Sequence, residues 1–218
     1  ISNSIIITTD LSAEFIHQNF KIKKSKINVI PNFINTEIFK RDEKIKKNDR
    51  LLFIGRLSNQ KGIELLFDAI KNLNIGIDII GGGKGNLRNK YEIIAKNLRI
   101  DARFYTNIPN KKLVKYYNEC NIFILSSSYE GNPKTLLEAM SCECAIICTK
   151  VDGIKNIVNS DNCKMINLNS LELTHAIDNL RYDEVKKFDL GKQARKYILS
   201  NNKIDIVIEK FYQIYQKV

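Results

Sequence analysis

Short apolar runs alternate along the chain with stretches in which apolar residues return every three or four positions. The runs 51–54, 75–80, 103–105, 121–126 and 145–149 predict buried strands, and 164–167 a shorter last one. Between them, Ile63, Leu66, Phe67, Ile70 and Leu73 share one helical face, and Leu87, Tyr91, Ile94, Ala95 and Leu98 share another over 87–98. Leu113, Tyr116 and Tyr117 give a third helix an aromatic face, read here as core. Leu136, Leu137 and Met140 predict a helix whose first residue is Pro133, which has no N–H to leave unpaired. Leu171, Ala176, Ile177 and Leu180 predict another. Two more helices are expected over 184–199 and 203–217, the last with a stripe of Ile204, Val207, Ile208, Phe211, Ile214 and Tyr215. Ahead of all these come a strand at 5–9, a helix at 12–20 with Ser12 as its N-cap, a strand at 28–31 and a polar linker at 40–50. Strands of four to six residues alternating with helices of ten or more predict an α/β fold, a Rossmann-like parallel sheet with helices on both faces.

Composition narrows the class. The 218 residues are 44% hydrophobic and 27% charged, enough for one good core or one and a half domains. A net charge of +11 suits nucleic acid, anionic lipid or phosphorylated ligands, but no long Lys/Arg block concentrates it. Five Cys, an odd number set in apolar runs, predict buried free thiols and a reducing compartment. Cys142-Glu143-Cys144 has no second Cys/His pair at finger spacing, so zinc is not expected. No run approaches the roughly 18 apolar residues of a membrane span, and no signal peptide is visible. The chain starts at Ile and reads as part of a longer protein. His17 and His175 have no partner in sequence and read as surface or capping residues.

The candidate chemistry lies in the loops that leave the strands. Tyr129-Glu130-Gly131-Asn132-Pro133-Lys134-Thr135-Leu136 joins a strand to a helix start. In open α/β sheets such a junction binds ligands, and the free N–H groups of the first turn favour an anion such as a diphosphate. Glu130 and Glu138 bracket it. One Glu there is simple complementation of the helix dipole; two at this spacing also suit the vicinal hydroxyls of a ribose or hexose. Gly55-Arg56-Leu57 and Lys61-Gly62 form a second strand–loop–helix junction, whose Arg and Lys would clamp a diphosphate or else stand solvated in a loop. Gly81-Gly82-Gly83-Lys84-Gly85 is a weaker signal, without the spacing of a dinucleotide fingerprint.

These residues resemble the retaining family-4 glycosyltransferases, two-domain enzymes of the GT-B fold. "EGNPKTLLEAM", with two Glu seven residues apart, is similar to that family's donor-site signature. The resemblance covers residues 28–160 well and the rest loosely. "NVIPNFINTEIF" resembles the hinge into the second domain, with Phe33 and Asn35 where the family has Gly and an acidic residue. The resemblance implies domains at 1–40 (tail of an acceptor domain and hinge), 41–200 (nucleotide-sugar binding) and 201–218 (a helix crossing back to the acceptor domain). It implies transfer of a hexose from a nucleoside diphosphate sugar, UDP- or GDP-linked, to an acceptor hydroxyl in polysaccharide, glycolipid or glycoprotein assembly. It assigns catalysis to Arg56, Lys61 and Glu130. Donor binding falls to Gly55, Gly83, Lys84, Thr106, Asn107, Ile108, Gly131, Asn132, Pro133, Lys134, Thr135, Leu136 and Glu138, with no metal. Thr106 stands where the family has Gly, and Asn156 where it has Glu. The implied partners are the nucleotide sugar and a carbohydrate or lipid-linked acceptor, not nucleic acid. The implied location is the cytoplasm, with a peripheral contact at the inner face of the membrane in the full-length protein. The alternative is a non-catalytic or differently acting nucleotide-binding α/β domain; an epimerase would need a Tyr-x-x-x-Lys pair, which Tyr91 and Tyr105 do not supply.

Overall fold

A computed structural model describes residues 3–216. Six strands form one parallel sheet: β3 (Arg50–Ile54), β4 (Gly76–Ile80), β5 (Ala102–Tyr105), β6 (Ile122–Leu125), β7 (Ala145–Thr149) and β8 (Lys164–Ile166). Their order is β5-β4-β3-β6-β7-β8. The central strands β6 and β7 are buried at every position, which explains continuous apolar runs in place of an alternation. Successive side chains point to opposite faces and build two cores. Leu52, Ile54, Phe123, Leu125 and Ile146 face α4 (Asn110–Glu119), α5 (Lys134–Ser141) and α7 (Glu184–Asn201). Leu51, Phe53, Ile77, Ile79 and Ile147 face α2 (Ile63–Ile70), α3 (Leu87–Asn97) and α6 (Ser170–Arg181). The Rossmann-like architecture expected from the pattern is therefore the one observed. All five Cys (120, 142, 144, 148 and 163) are free thiols buried in the first of these cores.

A separate unit precedes this sheet. β1 (Ile5–Ile7) and β2 (Ile27–Val29) pair parallel, and α1 (Asp10–Phe20) connects them. The N-cap of α1 is Thr9, not Ser12; the Thr9 hydroxyl accepts from the Ser12 N–H, so Ser12 is inside the first turn. His17 Nδ1 meets the Ile22 carbonyl at 2.8 Å just past the end of α1, a capping role, and His175 is exposed. The stretch 40–50 is irregular but not loose. Arg41 donates to the Asn118 carbonyl, and Asn118 in turn donates to Lys40 and accepts from the Asp42 N–H. Arg195 on α7 donates to carbonyls of Thr36, Phe39 and Ser141, fastening the incoming segment to the sheet body.

Two helical faces depart from the expectation. Leu98 caps α3 and is 36% exposed. Leu171 is 68% exposed, and Leu173 takes the buried place beside Ala176, Ile177 and Leu180. Both misplaced residues sit in a terminal turn, where the helix has turned away from its packing partner. α8 (Ile204–Tyr215) buries Val207 alone; Ile208, Tyr212 and Tyr215 are exposed. Residue 217, the last of the expected helix, lies outside the described residues.

Candidate functional site

The strand order reverses between β3 and β6: β4 and β5 lie on one side, β7 and β8 on the other. A crevice at the carboxyl ends of the strands on either side of such a reversal is where open α/β sheets bind ligands. The two loops singled out in the sequence leave these two strands. They are sewn together: the Ser128 N–H donates to the Gln60 carbonyl at 2.8 Å, Gln60 Nε2 donates to the Tyr129 carbonyl at 2.8 Å, and the Ser126 hydroxyl donates to the Lys61 carbonyl at 3.0 Å. Gly62 turns this corner with φ +64, and a Cβ there would stand 2.1 Å from the Ser126 carbonyl oxygen.

Lys61 and Glu130 meet across the seam. Lys61 Nζ is 2.6 Å from Glu130 Oε1, and the Ser127 hydroxyl donates to the same oxygen at 2.6 Å. Glu130 is 4% exposed, so its charge is balanced inside the protein and Oε2 keeps its lone pairs. Arg56, on the same loop as Lys61, is exposed; no hydrogen bond or ion pair among the described residues engages its guanidinium. Pro133 is the N-cap of α5 and Lys134 its first residue, one position later than expected, because Pro133 keeps an extended ψ of 114°. Leu136 is fully buried, so only its backbone can face a ligand. Thr135 is half-buried and Lys134 is exposed, with Nζ 5.6 Å from the Phe33 ring centroid. Asn132 is tied to the leading unit: its amide donates to the Thr8 carbonyl, and its own carbonyl accepts from Asn32 Nδ2 at 2.7 Å. A Cβ on Gly131 would meet nothing within 4 Å, so packing does not demand glycine there.

Glu138 lies one turn into α5 and is 4% exposed. Asn110 Nδ2 donates to its Oε1 and the Tyr117 hydroxyl to its Oε2, each at 2.9 Å. Burial pushes the Glu138 carboxyl above the usual range, and these two donors and Lys134 pull against it. Burial also pushes the Tyr117 phenol well up, so its proton stays on.

The loops after β4 and β5 complete the face. The Leu57 N–H donates to the Gly82 carbonyl at 2.8 Å, and Leu57 bridges to Gly83, which sets the glycine loop beside Arg56. A Cβ on Gly81 would stand 1.8 Å from the Gly55 carbonyl oxygen, a close approach that only glycine allows. Lys84 is exposed at the rim. The Thr106 hydroxyl accepts from Arg88 at 3.2 Å, Asn107 takes a positive φ of 56, and Ile108 leans on the core. The residues picked from the sequence thus lie in the loops at the carboxyl ends of β5, β4, β3 and β6, or in the first turns of α5 that follow β6. Arg88, Asn110, Tyr117 and Ser127 were not among them. Each acts through a partner far off in sequence or on another element, except Ser127, three residues before Glu130, whose polar position at a strand exit was the available signal. A cavity of about 280 Å³ lies between the leading unit, the turn at 152–157 and the end of α7, and shares only Asn132 with the candidate residues. Among the described residues no cluster of three or more His, Cys, Asp or Glu is placed to hold a metal ion, and no helix is long and apolar enough to cross a membrane.

A six-stranded parallel sheet wound to either side of a reversal point, with cationic loops and a helix start at that point, defines an α/β domain of the Rossmann-like class. The chain belongs to the glycosyl transferases group 1 family, which it matches over residues 35–197. It is 28% identical over 204 residues to the N-acetylgalactosamine-N,N'-diacetylbacillosaminyl-diphospho-undecaprenol 4-alpha-N-acetylgalactosaminyltransferase of Campylobacter jejuni, a match that covers 84% of this chain and 56% of the relative. The fold is also that of sucrose-phosphate synthase from Thermosynechococcus elongatus, with a TM-score of 0.90 at 20% identity over 100% of this chain and 58% of the other. HepE of Anabaena, in a structure with UDP and glucose, gives a TM-score of 0.89 at 16% identity over 100% and 64%. The chain therefore spans between 56% and 64% of the length of these proteins.

Proposed function

We propose that this chain is the donor-binding part of a retaining family-4 glycosyltransferase that moves a hexose from a nucleoside diphosphate sugar to an acceptor hydroxyl. The observation that carries the reading is the convergence of Arg56, the Lys61–Glu130 pair and the start of α5 at the reversal point of the sheet. As the sugar–phosphate bond breaks, negative charge builds on the departing diphosphate. Arg56 is free to meet it, and Lys61 has two further ammonium protons beyond the one held by Glu130. The unpaired N–H groups of the first turn of α5 add a positive end. These cations take the role a metal would otherwise fill. Glu130, through Oε2 and the backbone of the Gly131–Lys134 loop, would fix the hexose, and the space beside Gly131 suits a ligand. Glu138 would accept from the ribose hydroxyls, and the loops at Gly55, Gly83, Lys84 and 106–108 would border phosphate and base. UDP or GDP is the nucleotide of choice, the former supported by the UDP in the HepE structure.

Residues 1–40 read as the tail and hinge of an acceptor domain, residues 41–200 as the donor domain and 201–218 as a helix crossing between them. Among the described residues β1 and β2 pair with no other strand, whereas parallel sheets are built from several strands with both faces covered. The acceptor is a carbohydrate or lipid-linked sugar, a class that includes the diphospho-undecaprenol in the Campylobacter relative's name. Such an acceptor would bring the full-length protein to the inner face of a membrane from the cytoplasm, where the free thiols persist.

Calorimetric titration with UDP, GDP and ADP tests the reading. Selective binding of one nucleotide, weakened in Arg56→Ala and Glu138→Ala, is the expected result. Equal affinity of the two variants and the parent chain would end it.

A further inference from the structure

Glu138 is an expensive residue to bury. Its neighbours on α5, Leu136, Leu137, Ala139 and Met140, are all buried apolar side chains, and among the described residues no cation lies within hydrogen-bond reach of its carboxylate. Lys134, one turn back, acts on it only through space. A buried carboxylate without a paired cation costs stability unless polar donors satisfy it. Here a single helix supplies both donors. Asn110 opens α4 and Tyr117 follows seven residues later, so two helical turns bring them to the same face. Each takes one carboxylate oxygen at 2.9 Å.

Neither donor is explained by packing. Tyr117 is fully buried, its ring set edge-on to Phe39 at 6.1 Å and tilted on Phe123 at 5.8 Å. Phe would fill that space as well, and a buried hydroxyl is worth keeping only for its hydrogen bond. Asn110 is exposed, and it marks the side on which the carboxylate approaches the surface. With one donor on each oxygen the carboxylate cannot rotate, and each oxygen keeps a second lone pair. Two fixed acceptors side by side match two adjacent hydroxyls.

We propose that Asn110 and Tyr117 are positioning residues that fix both oxygens of Glu138 for the vicinal hydroxyls of a ribose, making the site selective for ribonucleotides over 2′-deoxyribonucleotides. This rests on the donor-site reading of Glu138 given above. The groups that bear on the Glu138 charge are Tyr117 and Asn110 from α4 and Lys134 from its own helix. Loss of either α4 donor therefore moves the Glu138 titration to higher pH.

The test titrates the 218-residue chain with UDP, GDP and ADP and with the 2′-deoxy form of each. It compares the parent chain with Tyr117→Phe, Asn110→Ala and Glu138→Gln, and follows the Glu138 carboxyl by carbon NMR. The parent chain is expected to prefer the ribonucleotide by about tenfold, the order of one hydrogen bond to a charged group. Tyr117→Phe and Asn110→Ala are each expected to bring that ratio close to one and to raise the pH at which Glu138 titrates. Tyr117→Phe keeps the core filled, and Asn110→Ala changes an exposed residue, so both should fold; thermal midpoints check this. If Glu138→Gln removes the preference while both α4 variants keep it, the donor-site reading stands and the positioning role is overturned. If Glu138→Gln keeps full affinity and preference, or no nucleotide binds the parent chain, the donor-site reading fails and the positioning role falls with it.

Discussion

Arg56 and Lys61 leave the same strand five residues apart with the same charge, and the protein treats them in opposite ways. Lys61 is drawn into an ion pair with a buried carboxylate, while Arg56 is exposed without a partner among the described residues. A solvated side chain without contacts contributes little to folding, so Arg56→Ala should change stability by less than about 0.5 kcal/mol in urea unfolding. The same change should weaken nucleotide binding about tenfold, because a charge-assisted contact to phosphate is lost. Glu138 shows the reverse trade. Its folded-state pKa is raised by burial, so its charge costs stability as pH rises from the ordinary carboxylate range through that raised value. Glu138→Gln should therefore raise the melting temperature at pH 8 and have a smaller effect near pH 3, below the ordinary carboxylate range, where the carboxyl is neutral in both states. At this scale the sequence exposes Arg56, Lys61 and both Glu, because charged residues beside glycine at a strand exit stand out from an apolar background. Tyr117 is hidden in that background: a tyrosine on an apolar helix face looks like core, and it is core except for one oxygen atom.

The elements that carry these side chains were legible as periods and less so as boundaries. Four- and five-residue apolar runs leave no room for a helix, so every strand of the main sheet falls where the pattern put it to within a residue or two. Caps were missed by one to three positions, at Thr9 and Pro133, because a cap is decided by one ψ angle and one hydrogen bond. The short turn at 152–154 hides a stricter demand. A Cβ on Gly153 would stand 1.7 Å from the Glu130 carbonyl oxygen, so the backbone of this turn presses directly on the candidate loop. Gly153→Ala must push residues 130–131 away. We expect a loss of about 1–3 kcal/mol of stability together with a larger loss of nucleotide affinity than Arg56→Ala causes, measured by urea unfolding and calorimetry on one preparation. "DGI" in the sequence suggests a turn, but nothing in it names the loop that the glycine must admit.

At the scale of the molecule, the order of the strands is what brings the loops together. The sequence gives six strands in a row; the sheet places the first beside the fourth, and only that reversal sets Lys61 against Glu130, sixty-nine residues away. Alternation of strands and helices implies parallel strands without fixing which are neighbours, so the loop junction could be inferred only through resemblance. The leading unit is held to this body by few side-chain bonds, chiefly those of Asn132 to Thr8 and of Asn156 to Asp10, and the segment that follows it by Asn32 to Asn132, Asn202 to Asn32 and Arg195 to Thr36 and Phe39. Arg195→Ala should take a donor from the Thr36 and Ser141 carbonyls, while the Phe39 carbonyl keeps that of the Ser141 hydroxyl, and cost about 1–3 kcal/mol, with the segment around residues 36–39 becoming accessible to limited proteolysis before the main sheet unfolds.

The five thiols give the molecule a clock of its own. They sit together on one side of the sheet, and burial pushes Cys142 and Cys163 well above the range in which a thiol reacts at neutral pH. A small disulfide reagent can reach them only when that core opens. Its rate of uptake, followed by absorbance with no label added, then counts openings of the native protein under native conditions. All five should react in one phase at the frequency of global unfolding, and a nucleotide bound at the carboxyl ends of the central strands should slow every one of them alike. A single fast thiol would show instead that one part of this core breathes alone.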